Sequence, residues 1–152
     1  MEIKQYNYDT KVEYSKFVRK YNKSKQLKIL SSIKFIKGKN IFLILKRGIF
    51  RKYIIIGYTI IDEDMRIIYF RDEINEKYIK NDNIIYITDF MIDYLYRNQG
   101  IGKKFANYII NGIYENKNII LQPKGDGNWF WKKFGFVEDN ISKRLTLILK
   151  RT

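Results

Sequence analysis

The run "IIYITDFMID", from Ile84 to Asp93, constrains the fold more than any other stretch of this sequence. Its apolar residues do not alternate with polar ones, as they would on a strand with one face in water. A strand that is apolar on both faces has to be covered on both faces, as in the interior of a sheet between helical layers. The run therefore predicts a central strand of a layered α/β fold.

The N-terminal third predicts one strand and two helices. "MEIKQYNYD" alternates loosely and predicts a first strand, and the period then changes to that of a helix from Thr10, with Asp9 or Thr10 as its N-cap. A second helix is predicted from about Lys25 to Gly38. The apolar faces of the two helices consist of Tyr14, Phe17, Val18 and Tyr21, and of Leu27, Leu30, Ile33 and Ile36.

The middle and the end of the chain supply the remaining elements. "NIFLILK" and "KYIIIGYTII" predict a hairpin joined by "RGIFR", "MRIIYF" extends the sheet, and "RDEINEKYIKNDN" predicts a loop. After the central strand we expect a helix from Ile101 to Asn116, a strand "NIILQ", a short helix "NWFWKKFG" that ends at Gly135, and a last strand "RLTLILK". The order βααβββαβαβ predicts a single domain over residues 1–152, with a mixed central β-sheet flanked by helices.

The composition excludes several kinds of chemistry. The chain has no cysteine and no histidine, which removes disulfides, thiolate catalysis, the usual general base and the commonest metal ligand. No stretch has the spacing of a calcium loop, so we expect no metal. The N-terminus lacks the apolar core of a signal peptide, and no apolar run approaches the roughly 20 residues of a membrane-spanning helix. We therefore expect a soluble cytoplasmic protein.

Positive charge is concentrated in one part of the sequence. The net charge is +14, and the segment from Lys11 to Lys52 contains fourteen Lys or Arg residues and a single acid, Glu13. Such a segment attracts phosphates or acidic surfaces. The abundance of Lys, Ile, Asn and Tyr also fits an AT-rich genome, so a solvated surface without a partner remains the alternative.

The stretch "YRNQGIGKKF", Tyr96 to Phe105, places two glycines between the central strand and the following helix. Free amide groups and the helix dipole favour an anion at such a position, and glycine lets it approach the backbone. A Walker loop is excluded because "GIGKK" lacks its four-residue spacing and its Ser or Thr, and a dinucleotide fingerprint is excluded because Phe105 replaces the third glycine. A strand-to-helix turn without a ligand stays open.

"RNQGIG" resembles the Arg/Gln-x-x-Gly-x-Gly/Ala motif of the GNAT superfamily of N-acetyltransferases, with Arg97, Gly100 and Gly102 at the motif positions. About thirty residues later, "FWKKFGF" resembles the Phe-Tyr-x-x-x-Gly-Phe segment of that family. The predicted element order is also the order that the family uses. The resemblance implies a GNAT-like fold, with acetyl-CoA as co-substrate and an amine as acceptor.

The resemblance also implies a cofactor site. Main-chain groups of Phe90, Met91 and Ile92 would pair with the pantetheine arm and the thioester, and Asn128 and Trp131 would lie beside the pantetheine. Phe90 and Ile92 also suit the core, and Asn128 also suits a helix cap. Backbone amides would bind the pyrophosphate at Arg97, Asn98, Gln99, Gly100, Ile101, Gly102 and Lys103.

Two catalytic positions depart from the family pattern. Trp131 stands where many members have a tyrosine that acts as the general acid, and Thr88 stands where some members have a glutamate. An indole N–H cannot give up a proton as an acid does. The base could be Asp89 or Glu138, or a water molecule held by Tyr86 or Tyr94, and each of these residues also suits an ordinary structural role. Asp89 and Tyr94 are the candidates that we carry forward.

The acceptor and the partners are open. The basic segment favours an acidic or phosphate-bearing acceptor, either an acidic protein or an RNA such as aminoacyl-tRNA. Two alternatives are a degenerate GNAT module that binds coenzyme A or a partner without turnover, and a basic nucleic-acid-binding domain. No membrane contact is expected, and the edge of the last strand could pair with a second copy to form a homodimer.

Overall fold

The computed structural model describes residues 1–50, 52–64, 83–125, 127–139 and 145–151. These residues form three α-helices and seven strands, with short 3-10 turns between them. The helices are α1 Lys11–Tyr21, α2 Ile101–Tyr108 and α3 Gly127–Lys132. The strands are β1 Glu2–Tyr6, β2 Lys39–Lys46, β3 Ile54–Asp62, β4 Ile84–Ile92, β5 Asn118–Leu121, β6 Val137–Glu138 and β7 Leu147–Leu149.

The strands form one mixed sheet in the order β1-β2-β3-β4-β5-β7-β6. β1 and β2 are antiparallel, β4 and β5 are parallel, and β7 is antiparallel to both β5 and β6. The predicted central strand is therefore the fourth of seven, and Ile84 to Ile87 are all buried. The α/β fold class and the central position of this strand are confirmed.

The chain divides into two compact units. The first unit contains Met1–Ile60 and Asp89–Ala106, and its core packs α1 against β1, β2 and β3. The second unit contains Ile61–Thr88 and Asn107–Thr152, and it includes β5, β6, β7 and α3. β3, β4 and α2 contribute residues to both units. A single domain over residues 1–152 stays a prediction.

The second predicted helix is wrong. The segment from Lys25 to Gly38 contains only a 3-10 turn, Lys28–Ser32. In an α-helix the carbonyls of Leu27 and Leu30 would accept backbone N–H groups four residues later. Here they accept from side chains: Asn22 Nδ2 donates to the Leu27 carbonyl at 2.8 Å, and Tyr14 Oη donates to the Leu30 carbonyl at 2.7 Å. Leu27 and Leu30 are fully buried, so the apolar spacing is satisfied without a helix.

Other boundaries differ in smaller ways. The first strand ends at Tyr6, because a capping box between Asn7 and Thr10 starts a 3-10 turn there. Thr10 is the N-cap of α1, but its hydroxyl accepts the Asn7 N–H instead of capping the helix. The predicted helix from Ile101 to Asn116 is α-helical only to Tyr108 and continues as a π-helical turn, Ile109–Ile113. β6 was not predicted, and "MRIIYF" and most of the following loop lie outside the described residues.

Candidate functional site

The carboxyl-terminal half of β4 differs from its buried first half. Thr88, Asp89, Phe90 and Met91 are half-buried, although they belong to an interior strand. The parallel register with β5 ends where Ile87 pairs with Leu121, and β4 continues to Ile92. This part of the strand is where the sequence predicts main-chain contacts to a pantetheine arm.

Side chains take part in the hydrogen bonding of the β4 backbone at Asp89. The Asp89 carboxylate accepts from Tyr58 Oη at 2.8 Å and from the Phe90 N–H at 2.9 Å, so each of its oxygens has a donor. Thr59 Oγ1 donates to the Asp89 carbonyl at 2.7 Å. Asp89 is therefore built into the strand structure as well as being the predicted base.

The Tyr58 hydroxyl stays protonated at neutral pH. Burial, and after it the negative charge and the hydrogen bond of Asp89, raises the pKa of Tyr58 well above its ordinary value. A neutral hydroxyl donates to a carboxylate, which agrees with the observed bond. Tyr58 can orient Asp89 but is a poor proton donor in its own right.

Gly57 on β3 allows β4 to come close. A Cβ at this position would lie 2.7 Å from the Met91 carbonyl oxygen and 2.9 Å from the Cδ1 atoms of Ile44 and Ile92. The lack of a side chain at Gly57 therefore allows the Met91 carbonyl to lie close to β3. A glycine inside a strand is a known signal for such an approach of two backbones, and it could have identified this position from the sequence.

The turn after β4 is held by hydrogen bonds from several elements. The Asp93 N–H donates to the Ile56 carbonyl at 2.8 Å, and the Asp93 carboxylate caps the 3-10 turn Tyr94–Tyr96 through the Leu95 N–H. Arg97 Nε donates to the Ile92 carbonyl at 2.8 Å. The motif arginine therefore closes the loop onto its own strand.

The glycine loop has a left-handed backbone at two positions. Asn98 has φ 61° and Gly100 has φ 77°, values that asparagine and glycine tolerate best. A Cβ on Gly100 would meet no atom within 4 Å, so the protein needs glycine there for its backbone angle and not for space. The first helical bond of α2 runs from the Lys104 N–H to the Gly100 carbonyl, at 3.1 Å.

The start of α2 has the features of an anion site. The N–H groups of Ile101, Gly102 and Lys103 lie in the first turn, where an α-helix provides no acceptor of its own. Lys103 and Lys104 are exposed in the same turn. Gln99 is exposed, and its Nε2 donates back to the Leu95 carbonyl at 3.3 Å. Backbone amides, helix dipole and cations thus favour negative charge at one place.

Tyr94, the second predicted proton-transfer residue, lies at the surface. Its side chain is 58% exposed, and its backbone N–H donates to Gln26 Oε1 at 2.9 Å.

The C-terminal segment forms α3, which ends at Lys132 and is followed by a turn in which Gly135 has φ 93°. Trp131 is 6% exposed and packs edge-on against Phe130 and Phe136, with ring centroids 4.9 and 5.6 Å away. Asn128 is the second residue of α3 and not its cap. Its Oδ1 atom is buried and has no hydrogen-bond partner among the described residues, which is unusual for a buried amide.

Thr88 is paired with a buried acid that sequence reasoning missed. Thr88 Oγ1 donates to Asp62 Oδ2, and Asp62 is only 3% exposed. The other carboxylate oxygen, Oδ1, has no partner within the described part of the chain. The two residues are far apart in sequence, so no local pattern could have identified the pair.

The two units differ strongly in charge. The first contains 18 basic and 5 acidic residues, and the second contains 12 basic and 11 acidic residues, giving net charges of +13 and +1. The segment Lys11–Lys52 lies wholly within the first unit. No three or more acidic side chains among the described residues are grouped so that they could hold a metal ion, and no described helix could span a membrane.

Neither the family models nor the curated proteins contain a match to this chain. Solved structures do match. AtaTR bound with AcCoA is 11% identical, with a TM-score of 0.61, and the match covers 97% of this chain and 92% of the other. Arabidopsis thaliana NAA60 with a bisubstrate analogue is 12% identical, with a TM-score of 0.58 and coverage of 99% and 100%. Tetrahymena GCN5 is 11% identical, with a TM-score of 0.57 and coverage of 97% and 94%.

These matched structures are GNAT acetyltransferases, and they share the mixed sheet with flanking helices described above. At this level of identity the likeness concerns the fold. The chain has the fold of the GNAT superfamily.

Proposed function

We propose that this protein is an N-acetyltransferase that moves an acetyl group from acetyl-CoA to an amine. The observation that carries the proposal is the loop from Arg97 to Lys103. It follows the end of the interior strand, has left-handed angles at Asn98 and Gly100, and leads into a helix whose first amides have no acceptor within the helix. A diphosphate is the kind of group that this arrangement favours.

Two further observations fit coenzyme A. The buried Asn128 Oδ1 atom lacks a donor in the described chain, and an amide N–H of the pantetheine arm would supply one. Phe90 and Met91 are half-buried and Ile92 is buried, and their main-chain groups would suit a pantetheine arm, although the Phe90 N–H already donates to Asp89 and the Ile92 carbonyl already accepts from Arg97. Trp131 would contribute apolar packing beside that arm. Lys103 would add positive charge next to the pyrophosphate.

Acetyl-CoA, when bound, would supply a thioester that an amine can attack, so that a C–N bond forms, the C–S bond breaks and coenzyme A leaves as its thiolate. The chain has to orient the amine, accept its proton and donate to the carbonyl oxygen. Asp89 is our first candidate for the proton acceptor, with Tyr58 and Thr59 as the residues that fix its position. Tyr94, which is an exposed residue, is the second candidate. Trp131 can donate a hydrogen bond only.

A binding module without turnover is the second candidate function. Both Asp89 oxygens already accept hydrogen bonds, Thr88 is paired with Asp62, and Trp131 replaces a tyrosine. Each of these arrangements suits a structural role. Such a module would bind acetyl-CoA through the same loop.

The class of acceptor that we propose rests on charge. A net charge of +13 in the unit that contains the loop disfavours free polyamines and favours an amine on an acidic protein or on an RNA. Among structures of related fold, a NatC complex has a Gag peptide and CoA bound. A peptide amine is therefore a reasonable first acceptor to test. A homodimer and a cytoplasmic location stay predictions.

The first experiment is a calorimetric titration of the wild-type protein, Gly100→Asn and Gly100→Asp with acetyl-CoA. Asparagine and aspartate have the same shape and both tolerate the left-handed angle, so they differ only in charge. We expect micromolar binding by the wild type, a loss below about tenfold in Gly100→Asn and a loss above about a hundredfold in Gly100→Asp. A wild-type protein that does not bind would refute the proposal.

The second experiment separates transfer from binding alone. Free coenzyme A released from acetyl-CoA is measured with a panel of peptide and small amines. We expect release above background, and a fall in kcat of at least about tenfold in Asp89→Asn with acetyl-CoA affinity unchanged. Tight binding without release for any amine would support the binding module instead.

A further inference from the structure

A cleft lies along one side of α1, away from the face that packs into the core. Its volume is about 380 Å³, which is within the range of ligand-binding clefts. None of its lining residues belongs to the proposed acetyl-CoA site. α1 lines it with Lys11, Val12, Ser15, Lys16 and Arg19, and the extended segment after the 3-10 turn lines it with Ile33 and Phe35.

The cations that line the cleft are Lys11, Lys16 and Arg19. Within the described part of the chain, no carboxylate lies within ion-pair distance of Lys11, Lys16 or Arg19. Lys11 instead lies over the Tyr8 ring, with its Nζ 4.0 Å from the centroid. Glu13, the only acid of α1, does not line the cleft. Three positive charges close to one another attract a group that carries several negative charges.

The floor of the cleft is apolar. Val12 is 56% exposed, and Ile33 and Phe35 are half-buried. The Phe35 ring is already engaged edge-on by Tyr14 at 4.9 Å, so it is not a free platform for a stacked base. A branched aliphatic surface favours an aliphatic side chain, whereas a nucleic-acid backbone has no apolar group to bury against it.

We propose that this cleft binds an acidic segment of a partner protein. An apolar side chain of the segment would cover Val12, Ile33 and Phe35, while neighbouring carboxylates would pair with Lys11, Lys16 and Arg19. Ionic contacts around an apolar anchor are a common arrangement at peptide-binding surfaces. The proposal does not depend on acetyl transfer, since it concerns a different surface of the first unit.

The test uses fluorescence polarisation with the full-length chain and a labelled peptide, Glu-Asp-Glu-Leu-Leu-Asp-Glu. One comparison peptide replaces both leucines by serine, and an RNA oligonucleotide of the same total charge is the third probe. The double variant Lys16→Glu/Arg19→Glu removes cleft cations. Lys23→Glu/Lys25→Glu changes the net charge equally at exposed positions that do not line the cleft. Val12→Ser alters the apolar floor at an exposed site.

We expect the leucine peptide to bind the wild type and the Lys23/Lys25 variant within about threefold, and to bind the Lys16/Arg19 variant at least about tenfold more weakly. The serine peptide should bind the wild type at least about threefold more weakly than the leucine peptide does, and Val12→Ser should weaken binding of the leucine peptide by a similar factor. Equal losses in the two charge variants, or equal affinity for the serine peptide, would overturn the proposal. Tighter binding of the RNA that is sensitive to Lys16 and Arg19 would assign the cleft to nucleic acid instead.

Discussion

Two glycines illustrate how single residues shape this protein. Glycine at position 100 is favoured by the left-handed backbone angle, φ 77°. Steric space is not the reason, since a Cβ there would meet no atom within 4 Å. Gly57 is required by space, because a side chain there would meet the backbone of β4. The sequence motif identified the first and not the second. A motif records what is recurrent in a family, whereas the contact at Gly57 depends on how closely the neighbouring strands β3 and β4 approach each other.

Gly57→Ala should destabilise the protein by about 1–3 kcal/mol, because the added methyl group would overlap the Met91 carbonyl oxygen. The free energy of unfolding from urea denaturation measures the effect. Gly112→Ala is the matched control, since its Cβ would meet no atom within 4 Å and its φ is not in the left-handed region. A Gly57→Ala protein as stable as Gly112→Ala would show that β4 can move away without loss.

Among the elements, those that depend on local chemistry were predictable from the sequence. The strands rich in isoleucine and the α1 face of Tyr14, Val18 and Tyr21 are confirmed, whereas the short helix α3 ends at Lys132, before the predicted stop at Gly135. The second helix was wrong because the spacing of Leu27 and Leu30 fits both an α-helix and the 3-10 turn at which both residues are buried. The π-helical turn and the pairs Tyr58–Asp89 and Thr88–Asp62 were missed, since they depend on residues far apart in sequence.

The π-helical turn after α2 is held by the C-terminal segment. Arg151 Nη2 donates to the Ile110 carbonyl at 2.6 Å, and the Arg151 backbone N–H donates to Asn118 Oδ1 at 2.6 Å. A π-turn shifts the usual helical pairing, so its carbonyls benefit from outside donors. The guanidinium supplies one.

Arg151→Ala should therefore reduce stability by about 1–3 kcal/mol and increase amide exchange over the turn Ile109–Ile113. Hydrogen exchange detected by mass spectrometry, together with urea denaturation, measures both effects. Arg151→Lys keeps the charge but loses the fork of donors, so we expect an intermediate value. If Arg151→Lys matched Arg151→Ala, the geometry of the guanidinium would account for the whole effect; unchanged exchange in both would contradict the assignment.

For the whole molecule, the pH dependence of stability follows from its titratable groups. The chain has no histidine, and burial raises the pKa values of Tyr14, Tyr58 and Tyr114. The carboxylates of Asp89 and Glu63 raise the last two further. A raised pKa means that folding favours the neutral hydroxyl. This contribution is complete below the unfolded value of about 10, and it is lost as pH rises above that value.

We therefore expect the free energy of unfolding to fall above about pH 10 and to vary little from pH 6 to 9. Urea denaturation at fixed ionic strength measures it. Tyr114→Phe, which removes the hydroxyl bonded to Glu63, should show a shallower alkaline fall than the wild type. Identical slopes above pH 10 would mean that Tyr114 does not contribute.

Hydrogen bonds within the chain hold the loop from Asp93 to Gly100 in its conformation. Asp93 caps its turn, Arg97 holds the Ile92 carbonyl, and Asn98 and Gly100 already have their left-handed angles. Preorganisation of this kind removes most of the ordering entropy that a flexible loop would lose when it closes on a ligand. We therefore expect the association rate of an anionic ligand to be limited by diffusion and by ionic strength. Loop rearrangement should not set that rate.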